Sequence, residues 1–280
     1  MQNAPSDRLD YLVIGHITRD ITTDGRRVLG GTASYAARTA QMLKKRVGVI
    51  TSAESESGWA ALSDVEILRI PAAATTTFKN QYGPSGREQA VLSVASTLSP
   101  REVPNGWRET AVAHIGPVAQ ECDPALVRLF PTSFVGVTPQ GWMRRWDDQG
   151  RVHRTAWEHA QAVLPHADAV VLSEEDIVGR EDLIPFWAGM TPILVVTRGE
   201  NGCTVYTGGA THDIPGLRVE TLDPTGAGDI FAAALFVLLE SGLQPVAAAH
   251  RANCIAAHSV TRAGLSGIPT SPEINRCLDR

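Results

Sequence analysis

Lysine is scarce in this chain: Lys44, Lys45 and Lys79 are the only three among 280 residues. None follows a GxxxxG loop, which excludes the lysine-dependent phosphate cradle of a P-loop. Cysteine is scarce as well. Cys122, Cys203, Cys254 and Cys277 form no CxxC pair and no Cys/His metal spacing, so they read as reduced thiols of a cytoplasmic protein. No apolar run reaches the length of a membrane span, and "YLVIGHI" near the start is too brief for the core of a secretory leader. An excess of positive charge is also missing. The net charge of -5 gives no general attraction to nucleic acid or to an anionic membrane. What remains is 43% hydrophobic against 20% charged residues, the balance of a chain that builds a sizeable soluble core. The Pro/Gly-rich joints are too short for interdomain linkers, so residues 1–280 read as one domain.

Short apolar runs alternate with helical patterns. Candidate strands are "YLVIGHI" from Tyr11, "RVGVITS" from Arg46, "AVAHIG" from Ala111, "SFVGVT" from Ser133, "DAVVLS" from Asp168 and "PILVVT" from Pro192. They are continuously apolar, as strands covered on both faces are, which predicts a mostly parallel sheet between helical layers. Helices are expected over 32–44, 226–241, 245–261 and 271–278, and an antiparallel section follows Gly199. Two stretches break the rhythm: Asp20 to Gly31 and Thr75 to Ala95 carry β-formers and turn signals at Asp24-Gly25 and Gly83-Pro84. They predict a small β-structured lid from about 17–30 and 74–96, with extra strands on the main sheet edge as the alternative.

The stretch with most chemistry is "LDPTGAGDIFAAALFVLLE", Leu222 to Glu240, where two acids and small residues run into an apolar helix. A plain reading is helix capping, since Asp near a helix N-terminus complements the dipole and bonds free N–H groups. A sharper reading makes Gly226, Ala227 and Gly228 an anion hole, with Asp229 as a general base taking the proton of an attacking alcohol. Phosphoryl transfer asks for that pairing of charge stabilisation and positioning. A dinucleotide fingerprint fits poorly, because Phe231 holds the place of its third glycine.

These residues resemble the PfkB, or ribokinase-like, carbohydrate kinases. "DPTGAGDIFAAALF" is similar to that family's C-terminal signature and "LGGTASYAARTAQML" (Leu29 to Leu43) to its N-terminal diglycine motif. "VVTRGENGCTVY" (Val195 to Tyr206) resembles its TxGxxG turn, and "ANCIAAHSVTRAGL" (Ala252 to Leu265) its last helix. The resemblance implies a ribokinase-like three-layer α/β sandwich with a mostly parallel central sheet and a small β-sheet lid. It implies ATP and Mg²⁺ as cofactors and K⁺ at Asp223 and Thr225. It further implies Asp229 as base over Gly226, Ala227 and Gly228, and Asp20 with Gly30 and Gly31 around the acceptor. Thr197, Gly199 and Gly202 fall beside the nucleotide phosphates, and Asn253 falls near the adenine. A lid of this kind is also a route to a homodimer, since an exposed strand edge invites pairing.

Two departures bear on the acceptor. Tyr35 stands where many sugar kinases of the family have Asn, and "SEED" replaces the family's NxxE element. That puts Ser173 in the Asn place and Asp176 in the Glu place, where a carboxylate can hold Mg²⁺ through water. With Gln140 and Arg144 of "VTPQGWMRRWDDQGRV", these features resemble the myo-inositol kinase branch. The expected activity is transfer of the γ-phosphoryl group of ATP to a hydroxyl of a small polyol or sugar. A sugar-phosphate kinase, with Lys79 or Arg87 facing the acceptor's phosphate, and a nucleoside kinase, with Tyr35 or Phe78 stacked on a base, are the alternatives on the same fold. A catalytically silent sugar- or nucleotide-binding protein is the alternative of another class.

Overall fold

The computed structural model describes residues 8–56, 58–83 and 86–279, with the side chains of 81–88 outside the description. The Gly83-Pro84 turn and the Arg87 side chain therefore fall outside the described residues. In chain order the strands are β1 (Tyr11–Ile14), β2 (Thr18–Ile21), β3 (Arg27–Gly30), β4 (Val47–Ala53), β5 (Glu66–Pro71), β6 (Thr77–Gly83), β7 (Gly86–Ser93), β8 (Val112–Ile115), β9 (Phe134–Val137), β10 (Arg144–Trp146), β11 (Val152–Arg154), β12 (Ala169–Ser173), β13 (Ile193–Thr197), β14 (Cys203–Thr207) and β15 (Ala210–Ile214). The helices are α1 (Thr32–Met42), α2 (Ala160–Val163), α3 (Ile184–Ala188), α4 (Ala227–Glu240), α5 (Pro245–Ser259) and α6 (Ser271–Leu278).

Nine strands form one sheet in the order β15-β14-β13-β12-β9-β8-β1-β4-β5. Every pair from β13 to β5 is parallel, and β14 and β15 are added antiparallel at one edge. Alternate residues feed opposite cores: Tyr11 and Val13 of β1 pack with α1, α4 and α5, whereas Leu12 and Ile14 pack on the far face with Leu126, Val163 and Trp187. Such two-sided burial is what makes these strands continuously apolar in sequence. The layers are those of a ribokinase-like sandwich.

α4 is apolar all round because it is enclosed all round; every residue from Ile230 to Leu239 is buried. It can lie close to the sheet because β9 carries Gly136, where a Cβ would stand 2.3 Å from the Phe236 ring. α1 ends at Met42, two residues before the expected Lys44. Lys44 adopts φ 64° and its N–H returns to Gln41 O, which closes the helix.

The two irregular stretches form a separate sheet, in the order β3-β2-β6-β7, rather than an extension of the main sheet edge. A hairpin missed in the sequence, β10-β11, docks beside it: Val91 N–H donates to Gly150 O at 2.8 Å, and Ala90 bridges Arg151. No helix among the described residues is long and apolar enough to cross a membrane. One expectation is corrected. Cys254 and Cys277 are joined as a disulfide, because α5 and α6 pack side by side and bring their Cα atoms to 5.6 Å, a geometry that a separation of 23 residues does not announce in sequence. Cys122 and Cys203 remain buried thiols, as expected.

Candidate active site

Two helix N-termini meet at the carboxyl ends of the parallel strands. α1 starts at Thr32, directly over the end of β8: a Cβ on Gly116 would stand 2.5 Å from Thr32 Cγ2. α4 starts at Ala227, and the Thr32 hydroxyl donates to Asp229 Oδ1 at 2.7 Å. The half-buried Asp229 is thus tied across 197 residues to the first turn of the neighbouring helix. Both helices direct partial positive charge and first-turn N–H groups toward the same space, which favours an anion there.

The loop ahead of α4 is shaped by its N-cap, Gly226, at φ 81°. A Cβ at that position would lie 2.3 Å from the ring of Tyr35. The Tyr35 side chain is 2% exposed and its ring underlies Gly226. Tyr35 therefore packs beneath the loop ahead of α4, and on α1 its position faces the core side of the helix. Ala227 N–H, the first of the amides expected to face an anion, is already used within the turn, where it donates to Pro224 O at 3.2 Å. Asp223 binds the turn together: its two oxygens accept from Thr225 N–H at 2.9 Å and Gly264 N–H at 2.8 Å.

Asp20 lies on β2 of the small sheet and is buried to 7% exposure. It accepts from the Thr18 hydroxyl at 2.9 Å and from Asn80 Nδ2 at 3.3 Å, and Gln89 donates to Asn80 Oδ1 at 2.9 Å. The diglycine makes this placement possible. A Cβ on Gly30 would be 2.7 Å from the Asp20 carboxyl carbon, and Gly31, at φ 85°, would drive one to 2.3 Å from His16 O. Asn80 and Gln89 are the residues that sequence reasoning left out of the site. The signal for Asn80 was the alternation along β6, which turns Phe78 and Asn80 inward and Lys79 to solvent, and Gln89 is its partner across the β6-β7 pair.

The small sheet is fastened to the body by His16. Its Nε2 donates to Ser96 O at 2.9 Å, since a carbonyl can only accept, and its Nδ1 meets the Thr76 hydroxyl at 2.7 Å. Thr76 and Ser96 flank the β6-β7 hairpin, so both roots of that hairpin rest on one buried ring. Phe78 and Val91 close the joint against Val118 and Ala119. Phe78 is thereby used in packing. Glu121, 2% exposed, holds the strand-end loops by accepting backbone N–H bonds from His16, Val118 and Ala119.

A third group gathers around Asp176. Ser173 and Asp176 form a capping box after β12, with Ser173 N–H donating to Asp176 Oδ2 at 3.1 Å. Gln140 Nε2 donates to Asp176 Oδ1 at 3.4 Å, and the nearby Arg144 charge favours the ionised carboxylate. Burial is the larger influence and raises the Asp176 pKa above the usual carboxylate value. The residues expected at the acceptor and the residue expected at Mg²⁺ thus form one cluster.

Thr197 ends β13 and donates to Leu172 O at 3.3 Å. Gly199 and Gly202, both at positive φ, fold the chain back into β14, with Arg198 N–H bonded to Gly202 O at 2.7 Å. Beyond this turn, Asn253 of α5 donates to Pro215 O at 2.8 Å. It lines a cavity of about 440 Å³ with Gly216, Leu217, Ala247, His250 and Arg251. Another cavity, of about 390 Å³ and bordered by Thr97, Gln120, Asp123, Arg145 and His159, contains none of the expected site residues.

Comparison with known proteins matches residues 144–271 to the pfkB family carbohydrate kinases. A cytidine kinase of Thermococcus kodakarensis is 28% identical over 246 residues, which cover 80% of this chain and 86% of the relative. An inositol 3-kinase of Zea mays is also 28% identical, covering 92% of this chain and 73% of its own. Among solved structures, a pyrophosphate-dependent kinase of the ribokinase family, complexed with a pyrophosphate analogue and myo-inositol, superposes with TM-score 0.82 at 20% identity, covering 95% of this chain and 99% of its own. The Arabidopsis thaliana ribokinase complexed with ribose and ATP superposes with TM-score 0.77 at 14% identity, covering 98% and 99%. Residues 144–271, a little under half of the chain, thus resemble the pfkB family carbohydrate kinases, and the chain as a whole has the fold of the ribokinase-family structures.

Proposed function

We propose that this protein transfers the γ-phosphoryl group of ATP, with Mg²⁺, to a hydroxyl of a small uncharged polyol or sugar, myo-inositol being the best candidate. The observation that carries this reading is the Thr32–Asp229 bond at the meeting of two helix N-termini. It fixes a carboxylate beside an anion site, the arrangement a general base needs to take an alcohol proton while charge on the phosphoryl oxygens is stabilised. The small sheet acts as lid and acceptor wall. Asp20, Asn80 and Gln89 are suited to a belt of hydroxyl groups, which a carboxylate accepts from and amides both donate to and accept from.

Among the described side chains these residues carry one negative charge and no positive one, and Lys79 faces solvent. That suits an uncharged acceptor, while Arg87, the residue expected to face an acceptor's phosphate, has its side chain outside the described residues. Donor binding is assigned to the Thr197–Gly202 turn and the cavity lined by Asn253, whose volume and mostly apolar lining suit a nucleobase. The residues around Asp176 fit Mg²⁺ through water, because the carboxylate keeps lone pairs beyond those taken by Ser173 and Gln140. When bound, the ion supplies charge neutralisation between donor phosphates. K⁺ at Asp223 and Thr225 would have to share a carboxylate already engaged by two backbone amides. A homodimer through the lid would use the β3 edge, since β7 is partly covered by Gly150 and Arg151.

The cytidine kinase relative favours a second reading, a nucleoside acceptor. Against it, both aromatic side chains expected to stack on a base are used elsewhere, Tyr35 under Gly226 and Phe78 in the lid joint. Initial rates of ATP consumption with myo-inositol, free sugars, hexose phosphates and cytidine, each with and without K⁺, separate these readings. Turnover confined to cytidine or to a hexose phosphate overturns the polyol assignment. Binding of ATP and polyol with no turnover of any acceptor overturns the kinase assignment.

A further inference from the structure

The disulfide between Cys254 and Cys277 has a third residue beside it. His258 follows Cys254 by four positions on α5, and residues four apart share one helix face. Cys277 reaches the same point from the buried side of α6. The Cys254 and Cys277 sulfurs and a His258 ring nitrogen all lie within 4.8 Å of one another. Both cysteines are buried and His258 is half-buried, while Cys254 also borders the cavity lined by Asn253, which gives an entry path from solvent.

We propose that Cys254, His258 and Cys277 form a metal site for a zinc-class divalent ion, and that the disulfide is the oxidised, metal-free state of the same residues. Two thiolates and an imidazole are a borderline-soft donor set of the kind zinc prefers. A tetrahedral ion at ~2.3 Å from sulfur and ~2.0 Å from nitrogen needs its ligand atoms roughly 3.5–3.8 Å apart, so the two sulfurs must separate and the imidazole, within 4.8 Å of both, must settle at that spacing. The fourth position falls to water. The chemistry balances with a dithiol as reductant: its two thiols give two electrons and two protons, the S–S bond is cleaved to two thiols, and the dithiol closes to a cyclic disulfide. The entering ion then displaces the two thiol protons to solvent, and His258 contributes a nitrogen lone pair. Cys122 and Cys203 are not alternatives, since neither belongs to a cluster of three potential ligand side chains among the described residues.

The test uses the full chain, reduced with a dithiol, freed of it by gel filtration under argon, and titrated with Co²⁺ and then Zn²⁺. The expected result is a thiolate-to-cobalt charge-transfer band in the near ultraviolet that saturates at one equivalent per chain and is erased by one equivalent of Zn²⁺. The oxidised chain gives no band. Cys254→Ser abolishes it, His258→Gln weakens binding by roughly tenfold or more, and a Cys122→Ser/Cys203→Ser variant with native circular dichroism retains it. Absence of the band in the reduced parent overturns the proposal, as does unchanged affinity in His258→Gln. If Cys254→Ser fails to fold, the half-buried His258→Gln, with both sulfurs intact, decides the matter.

Discussion

Replacing Thr32 by Val removes one hydroxyl at nearly constant volume and leaves Asp229 in place. In the parent, that hydroxyl donates to a carboxylate at 2.7 Å from a residue that is 2% exposed. A hydrogen bond to a charged group contributes ~1.5–3 kcal/mol. If that energy holds the base in its productive position, Thr32→Val lowers kcat roughly 10- to 100-fold. Asp229→Asn removes the proposed base, for which a loss of roughly 10²- to 10⁴-fold is expected. In the Asp229→Asn background the Thr32 hydroxyl meets only a neutral amide oxygen, a bond contributing ~0.5–1.5 kcal/mol, so adding Thr32→Val then costs only about 2- to 10-fold. The four proteins therefore form a double-mutant cycle with a coupling of about 1 kcal/mol or more. Steady-state ATP consumption at saturating ATP and myo-inositol reads kcat, and thermal unfolding confirms that each variant is folded. The reasoning is refuted if Thr32→Val changes kcat by less than about threefold in the parent, or by the same factor in both backgrounds.

Gly30→Ala places a methyl 2.7 Å from the Asp20 carboxyl carbon. With overpacking at ~1–3 kcal/mol, KM for the acceptor should rise roughly 5- to 100-fold while KM for ATP stays within about twofold, which initial-rate kinetics measure directly. Tyr35→Ala leaves a cavity beneath Gly226 and should lower unfolding free energy by about 3–5 kcal/mol in urea titrations, whereas an acceptor contact at Tyr35 would instead change KM with little effect on stability. His114 bonds Tyr11 at 2.7 Å and Thr138 at 2.9 Å in the sheet centre, and burial holds its pKa down at about 3 against 6.5 for a free histidine. The unfolded chain takes up the proton first. The neutral ring thus contributes stability that is complete above about pH 6.5 and is lost as the pH falls toward 3, giving about 2 kcal/mol of loss between about pH 7.5 and 5. A His114→Gln variant should lack that part of the slope, and equal slopes in parent and variant would contradict the assignment.

The sheet and the site differ in how openly the sequence announces them. Runs such as "DAVVLS" declare a strand covered on both faces, and α4 declares its enclosure by having no polar side beyond Asp229. The diglycine and the turn before α4 were legible because backbone demands leave glycine little choice. The packing of Tyr35 was not legible because an aromatic residue after a diglycine carries no direction; only the approach of α1 to the loop of α4 shows that its ring lies under Gly226. Asn80 falls within the expected lid segment of about 74–96, but its bond to Asp20 depends on the parallel register of β2 and β6, which no local pattern specifies. The Gln140–Asp176 contact spans 36 residues, and the Cys254–Cys277 bond depends on two helices whose packing is set by the whole core. The β10-β11 hairpin escaped notice because its strands are only three residues long.

The His16 ring, with both nitrogens committed to the roots of one hairpin, divides the molecule into two parts that can change separately. Under the proposed function, residues outward of Thr76 and Ser96 help to choose the acceptor's hydroxyls, while the Thr32–Asp229 bond joins two helices outside that hairpin. Grafting a new β6-β7 hairpin between those two anchor points is therefore a route to a different acceptor with the phosphoryl-transfer geometry left alone. Any substitution of His16 would loosen both roots together.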